Sequence, residues 1–413
     1  MRLHFKMQSV KVNPALRFPE FNSSWNEVKL KDVSTKIGSG KTPLGGETVY
    51  TDAGIPFIRS QNVVDGSLKL DGTYITHEVH QEMKSSKVYS KDVLLNITGA
   101  SIGRSCVVPE EFEEGNVNQH VCIIRLKSYE SKFIQSFLSS WRGQKLIYQG
   151  QTGSGREGIN FDSIGRFKIK VPEIEEQQKI ASFLSAVDKK IQLLEQKKAF
   201  LEEYKKGVMQ KLFSREIRFK PEGGGEFPEW EEIRLGQVLS EVKRKSKTNN
   251  QHRVISSTTT GLYYQDEYFT RDISSSDNTG YKILEKNQLV FSPQNIWMGN
   301  INVNTQFDIG IVSPSYKIYD FKKGYNPLYF NDFLKTPIMQ HEYMISSEQG
   351  ASVVRRNLNI DLFNSIRIKV PSETEQNIIA NFLSTLDKKI EFQISQIERT
   401  KQFKKGLLQQ MFV

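Results

Sequence analysis

The sequence predicts an α+β protein built twice over. Two pseudo-twofold-related domains of mixed α/β content should be separated by two long antiparallel coiled-coil helices. Three observations carry this expectation. VPEIEEQQKIASFLSAVDKKI, from Val171, returns 199 residues later as VPSETEQNIIANFLSTLDKKI, from Val370, and the likeness runs without a gap to Phe213 and Phe412. A weaker echo, FPEFNSSWNEVKLKDV (18–33) against FPEWEEIRLGQV (227–238), sets Trp25 against Trp230 at an offset of 205. The third is a heptad pattern within each Val-Pro repeat, the mark of a coiled coil.

Each element follows from its residues. FKIKVP (167–172) and IRIKVP (366–371) alternate apolar and basic side chains, so each should be a strand. Helices then open on Glu175, Glu176 and Glu375, acidic groups suited to an N-terminal dipole. The first seam is Ile180, Leu184, Val187, Ile191, Leu194, Leu201, Val208 and Leu212, interrupted by Lys198 and Lys205. The second is Ile379, Leu383, Leu386, Ile390, Ile397, Leu407 and Met411. Nearly forty residues per helix, at roughly 1.5 Å each, make on the order of 55 Å, a spacer between two cores. The polar faces at Asp188-Lys189-Lys190 and Lys197-Lys198 argue against two helices merely lying on separate domains.

A connector, SREIRFKPEGGGEFPEW, follows Phe213, and its counterpart NPALRFPEF (13–21) stands near the start of the chain. The sequence reads as a two-unit ring cut open once, which implies a pseudo-twofold axis. The expected boundaries are an N-terminal arm (1–21), a first domain (22–170), a central helix (171–213), a linker (214–229), a second domain (230–369) and a C-terminal helix (370–413). Between the repeated frames the cores share little sequence. Both mix short β runs (Val93–Leu95, Val121–Ile124, Leu289–Phe291) with polar turns, and short helices are expected near Phe133–Leu146 and Leu328–Met344.

Composition narrows the function. The 413 residues carry 57 Lys and Arg against 47 Asp and Glu, a net charge of +10, which makes an anionic partner plausible. Cys106 and Cys122 form neither a disulfide framework nor a metal pair, so a reducing cytoplasm fits best. The start, MRLHFK, lacks the apolar stretch of a signal peptide, and no run approaches the roughly 18 apolar residues of a membrane span.

Several segments mimic catalytic motifs and fail on spacing. GSGKT (38–42) would need a glycine at Thr35 to be a phosphate-binding loop, and Pro43 follows it without a helix signal. Gly153-Ser-Gly155-Arg-Glu-Gly158 has the spacing of a dinucleotide fingerprint but leads to a strand, so a flexible basic loop is the better reading. SPSY (313–316) and NPLYF (326–330) lack the second proline of an amino-methyltransferase motif, and no companion glycine motif appears. His77 and His80 have no partners with which to complete a metal site. No catalytic residue and no metal site is expected in this chain.

The loops do carry groups suited to nucleic acid. Arg59-Ser60-Gln61-Asn62, Asn118-Gln119-His120 and the stretch from Ser292 through Gln294 and Asn295 are able to hydrogen-bond base edges. Lys41 (with Thr42), Arg104, Arg156, Lys243-Arg244-Lys245, Arg355 and Arg356 are able to hold phosphates.

Taken together the chain resembles the specificity subunit of type I restriction–modification systems. The resemblance rests on GSGKTP (38–43), GIPFIRSQNV (54–63), DVLLNITGASIGR (92–104), NQHV (118–121) and the Glu-Gln…Ile…Leu…Asp…Ile series in both helices (176–191, 375–390). It covers nearly the whole chain. In the second half NQLVFSPQNIWMGNI (287–301) keeps an outline of the third motif, whereas SGxTP and GIPFIR have no clear counterpart. The resemblance implies two target recognition domains that together read a bipartite, asymmetric site on double-stranded DNA. It also implies two methyltransferase subunits on the repeated helices, joined by restriction subunits. S-adenosylmethionine, ATP and Mg2+ would then be used by those partners, with none in this chain. Two other readings stand beside it: a non-catalytic coiled-coil adaptor with two protein-binding domains, and the DNA-recognition part of a methyltransferase–nuclease enzyme.

Overall fold

The computed structural model describes residues 13–64, 66–152, 158–269, 276–349 and 356–413. The helices that organise it are α1 (Ser131–Ser139), α2 (Trp141–Gln149), α3 (Ile174–Phe213), α4 (Pro327–Phe333), α5 (Pro337–Ile345) and α6 (Glu373–Gln410). The chain divides into two compact units, one of residues 1–196 with 393–413 and one of residues 197–392. The division falls inside the long helices: each unit holds the start of one and the end of the other.

In the first unit, Asn26–Lys29 pairs antiparallel with Lys168–Val171, the FKIKVP strand. A four-stranded antiparallel sheet has the order Ser34–Ser39, Val121–Leu126, Val93–Asn96, Ser105–Val107. A five-stranded mixed sheet holds a parallel pair, with Phe57 opposite Asn116 and Ile58 opposite Val117. The core under the four-stranded sheet joins Val93, Leu95, Cys122 and Ile124 to Phe133 and Phe137 of α1, to Ile180, Leu184 and Val187 of α3, and to Leu407, Met411 and Phe412. The Phe412 ring packs 5.3 Å from Phe133, tilted by 50°, and Arg142 Nε donates to the Phe412 carbonyl.

The second unit repeats the plan. Glu231–Arg234 pairs with Arg367–Val370, and the four-stranded sheet runs Leu239–Val242, Lys317–Phe321, Leu289–Phe291, Ile301–Val303. Its core gathers Leu289, Phe291 and Tyr319 with Tyr329 and Phe333 of α4, with Ile379, Leu383 and Leu386 of α6, and with Leu212 and Phe213. Val254 bridges Ile311 in the parallel sense, where the first unit pairs Phe57 with Asn116. The two cores, unlike in sequence, thus share the order of their four-stranded sheets, and the GIPFIR strand has a counterpart in VISS (254–257), although two two-stranded sheets stand where the first unit has five strands. The inner strands are buried on both faces, Val93–Asn96 and Leu289–Phe291 throughout, and such strands accept many apolar residues at each position. Even polar pairs are exchanged whole: Arg125 grips Asp92 by two 2.8 Å bonds in the first sheet, and Gln288 donates to Asp320 in the second.

Short helices occupy both expected ranges, two in each core. Ser140 ends α1 and caps α2, its hydroxyl accepting from the Gly143 amide, while Thr336 precedes Pro337 at the first position of α5. Asn326 and Pro327 of NPLYF likewise open α4, and SPSY is the turn between two strands, closed by Tyr316 N to Ser313 O. Of the seam residues, Ile180, Leu184, Val187, Leu212, Ile379, Leu383, Leu386, Ile397, Leu407 and Met411 are buried, whereas Ile191, Leu194, Leu201, Val208 and Ile390 are half-buried. The buried helix ends complete the domain cores, so there the helices do lie on those cores. Within the first unit Lys404 meets Asp188 and Lys401 meets Glu195, an antiparallel progression. Within the second, Lys205 meets Asp387 at 2.7 Å and Asp332 at 3.0 Å, so the lysine that interrupts the seam is paired.

Candidate nucleic-acid interface

In the first unit, four predicted segments converge at one end of the two sheets. Ile58 O accepts from Asn118 N, Asn118 O from Gly40 N, and His120 O from Ile97 N. Gly40 is there because a Cβ would lie 1.7 Å from the Val117 carbonyl oxygen. These backbone bonds set Lys41, Thr42, Ser60, Gln61, Arg104, Gln119 and His120 on one polar rim. Lys41 and Arg104 are exposed, and among the described residues neither side chain has a hydrogen-bond or ion-pair partner. Gln144 Nε2 holds the Gly103 carbonyl, which fixes the turn before Arg104 against α2.

Two predicted base-readers serve the backbone instead. Asn62 is buried, its amide bridging Arg59 N and Lys69 O, and Asn118 is buried with Oδ1 on the His120 amide. Short carboxamides in such turns replace missing backbone partners, which occupies the whole Asn62 amide and the Asn118 carbonyl. Arg59 is half-buried and latched by Asp71 at 2.7 Å and Thr73 at 2.8 Å, while Gln61 Nε2 also donates to Asp71. Partial burial pushes the Asp71 carboxyl up, but bonds from Thr73, Gln61 and Arg59 together hold it well below the usual carboxylate range. Arg156 lies outside the described residues, as does most of the Gly153–Gly158 motif.

The second unit builds a matching rim from other residues. Lys243, Arg244 and Lys245 extend the edge strand. Aligning Gln288 with Asp92, each of which accepts a backbone amide three residues upstream, puts Lys245 at the register of Lys41. Arg244 is paired with Glu285 at 2.5 Å. Ser257, Asn300 and Asn302 interlock, with Ser257 Oγ to Asn300 Oδ1 at 2.6 Å and Asn302 Nδ2 to Ser257 Oγ at 2.9 Å. Pro293 O and Gln294 O accept from Leu358 N and Arg356 N, and Asn295 N closes its own turn on Ser292 O. Arg356 donates to the Ser347 carbonyl, so it fastens a strand as well as edging the rim. Arg355 lies outside the described residues.

The groups rejected as catalytic are structural where described. His80 is fully buried between Asn116 (2.5 Å) and Glu114 (3.1 Å). Burial pushes the Cys106 and Cys122 thiols up to about 12, which leaves both unreactive. No cluster of three metal-ligating side chains occurs among the described residues, nor is any helix there long and apolar enough to cross a membrane.

Sequence reasoning missed a clamp that occurs in both units. Glu176, fully buried in the first turn of α3, receives Arg17 at 2.8 and 2.7 Å and the Trp25 indole at 3.3 Å. Glu375 receives Arg218 at 3.1 and 2.8 Å and Trp230 at 3.2 Å. The next residue, Gln177 or Gln376, accepts from the amide of Glu130 or Asn326, just before α1 or α4, and donates to Pro172 or Pro371. The signal was visible as Arg, Trp and Glu-Gln recurring in step. It ties each sheet to its helix and leaves the rims free to differ.

Residues 22–203 match the family described as the type I restriction modification DNA specificity domain. The chain is 22% identical to the putative type I restriction enzyme MjaX specificity subunit of Methanocaldococcus jannaschii, over 94% of this chain and 93% of that protein. It is 30% identical to the Escherichia coli type I restriction enzyme EcoBI specificity subunit over 31% of this chain and 27% of that one. Its fold is that of the type I restriction–modification S subunit from M. genitalium, at a TM-score of 0.57 with 15% identity, covering 97% and 99% of the two chains. A chain from a structural study of assembly and conformational transition in the type I system gives 0.55 with 14% identity, over 93% and 96%. Residues 22–203 thus match the type I restriction modification DNA specificity domain, and over nearly all its length the chain is similar to type I specificity subunits.

Proposed function

We propose that this chain is the sequence-reading subunit of a type I restriction–modification complex. Each unit reads one half of a bipartite, asymmetric site on double-stranded DNA. Two methyltransferase subunits and the restriction subunits bind to it and use S-adenosylmethionine, ATP and Mg2+; the chain itself is non-catalytic and works in the cytoplasm. One observation supports this reading above the others: two identically ordered sheets on one repeated clamp carry polar rims of unlike chemistry. A common frame suits a common partner, and unlike rims suit two unlike half-sites. The basic groups on both rims (Lys41, Arg104, Lys243, Lys245) add the salt-dependent phosphate term that any such reader needs.

Exchanging residues 26–169 for the matching domain of a relative tests the reading. Assayed with the partner methyltransferase subunits, the chimera should change one half-site and keep the other. If both half-sites change together, the units do not read independently. The purified chain alone should neither methylate nor cut DNA, and binding of S-adenosylmethionine by it would overturn the division of labour.

A further inference from the structure

The rim of the first unit contains one continuous hydrogen-bond relay. Thr42 Oγ1 lies 2.5 Å from Gln119 Oε1, Gln119 Nε2 lies 3.1 Å from His120 Nε2, and His120 Nδ1 lies 2.7 Å from Thr98 Oγ1. His120 and Thr98 are half-buried; Gln119 is exposed at the outer end. The backbone beneath is fixed by the Asn118 and His120 bonds to Ile58, Gly40 and Ile97. The relay therefore holds a solvent-facing carboxamide in one orientation.

That orientation has a chemical meaning. Gln119 Nε2 carries hydrogens and donates to His120 Nε2, so the imidazole proton sits on Nδ1 and goes to Thr98. The Thr42 hydroxyl uses one lone pair of Oε1. One lone pair of Oε1 and one N–H of Nε2 then remain on this exposed side chain. Adenine offers their complement in the major groove, an N6 donor beside the N7 acceptor. Guanine offers two acceptors there and cytosine a lone donor, and either leaves half of the amide unmatched.

We propose that Gln119 reads an adenine in the half-site of the first unit, and that Thr42, His120 and Thr98 are its positioning residues. The proposal rests on the DNA-reading function above. It separates side chains that looked alike in sequence: Gln119 contacts a base, while its neighbour His120 sets which edge of the amide faces out.

The test uses the full chain assembled with its methyltransferase subunits and a duplex library randomised across both half-sites, with methylated molecules sequenced. Wild type should prefer adenine at one position by about tenfold or more, the scale of a good bidentate contact. Gln119→Glu, left with acceptors only, should shift that position toward cytosine, whose N4 donates. His120→Ala and Thr98→Val should flatten the same preference several-fold. The other half-site serves as the internal control for folding and should stay unchanged in all three variants. The proposal is overturned if Gln119→Glu keeps the wild-type preference, or if any loss spreads evenly over both half-sites. A wild-type complex that selects no sequence at all would instead remove the DNA-reading function, and this proposal with it.

Discussion

Glu176 and Glu375 suit a helix dipole by position, yet the structure gives them a larger task. Each is a fully buried carboxylate whose charge is answered by one arginine and one indole. Removing the cation leaves a buried charge unpaired, so Arg17→Ala should cost about 3–5 kcal/mol in urea unfolding of the first unit. Adding Glu176→Gln should recover part of it; a loss below about 1 kcal/mol would mean the carboxylate finds water. Asp71 supplies a pH test. Its carboxyl is held below the ordinary range, so its contribution is fully present above roughly pH 4 and is lost as pH falls through the lowered value. The stability gap between wild type and Asp71→Asn should hold from neutral pH to about 4 and close below it; a gap that closes between pH 7 and 5 would assign the titration elsewhere. Little at this scale was legible beforehand. Asn62 and Asn118 have the composition of base readers, and only the path of the backbone shows that both ends of the Asn62 amide and the carbonyl of Asn118 are already engaged.

The long helices were the most legible elements, because a seven-residue seam sustained over many turns fits a helix and no strand or loop. Two features escaped. Ser140 and Pro337 break the core helices through cap chemistry that single residues signal weakly. Lys205 interrupts a seam because its ammonium meets Asp387 and Asp332; burial pushes its pKa down, and the two carboxylates more than reverse this. The pair recurs as Lys404 with Asp188, where the third member is a cation, Lys132. Gly207 and Gly406 occupy equivalent helical positions, and a Cβ at either would have nothing within 4 Å. Alanine at each should therefore stabilise the protein by about 0.5–1 kcal/mol, read as a rise in melting temperature. A fall would show that the bare backbone is needed in the folded chain.

At the scale of the whole molecule, the repeat and its permuted order were plain in the sequence. The common sheet order of the cores was not, since a sheet preserves its pattern of burial long after its residues diverge. The permutation itself is visible as one hydrogen bond made twice: Ile217 N to Lys211 O within a continuous strand of chain, and Leu16 N to Gln410 O between segments far apart in sequence. If the helices set the unread gap, one heptad inserted after Gln196 and another after Phe392 should lengthen it. Seven residues add about 10 Å, close to three base pairs at about 3.4 Å each. Methylation selected from a library of gap lengths measures this; efficient methylation at the original gap would show that the helices do not set it. Three base pairs also rotate the groove by roughly 100° if a turn holds about 10.5 pairs, so loss of activity alone decides nothing.

The unit that starts the chain closes last. Residues 197–392 form their unit from one unbroken stretch, whereas the first unit takes Leu407, Met411 and Phe412 into its core. Domains generally fold as they leave the ribosome, beginning with the earliest. Here the earliest must wait, with Phe133 and Phe137 lacking the Phe412 ring that packs on both, until residues 393–413 have been made. Truncation after Phe392 should thus spare the unit of residues 197–392 and weaken the other, which limited proteolysis of the truncated chain would show.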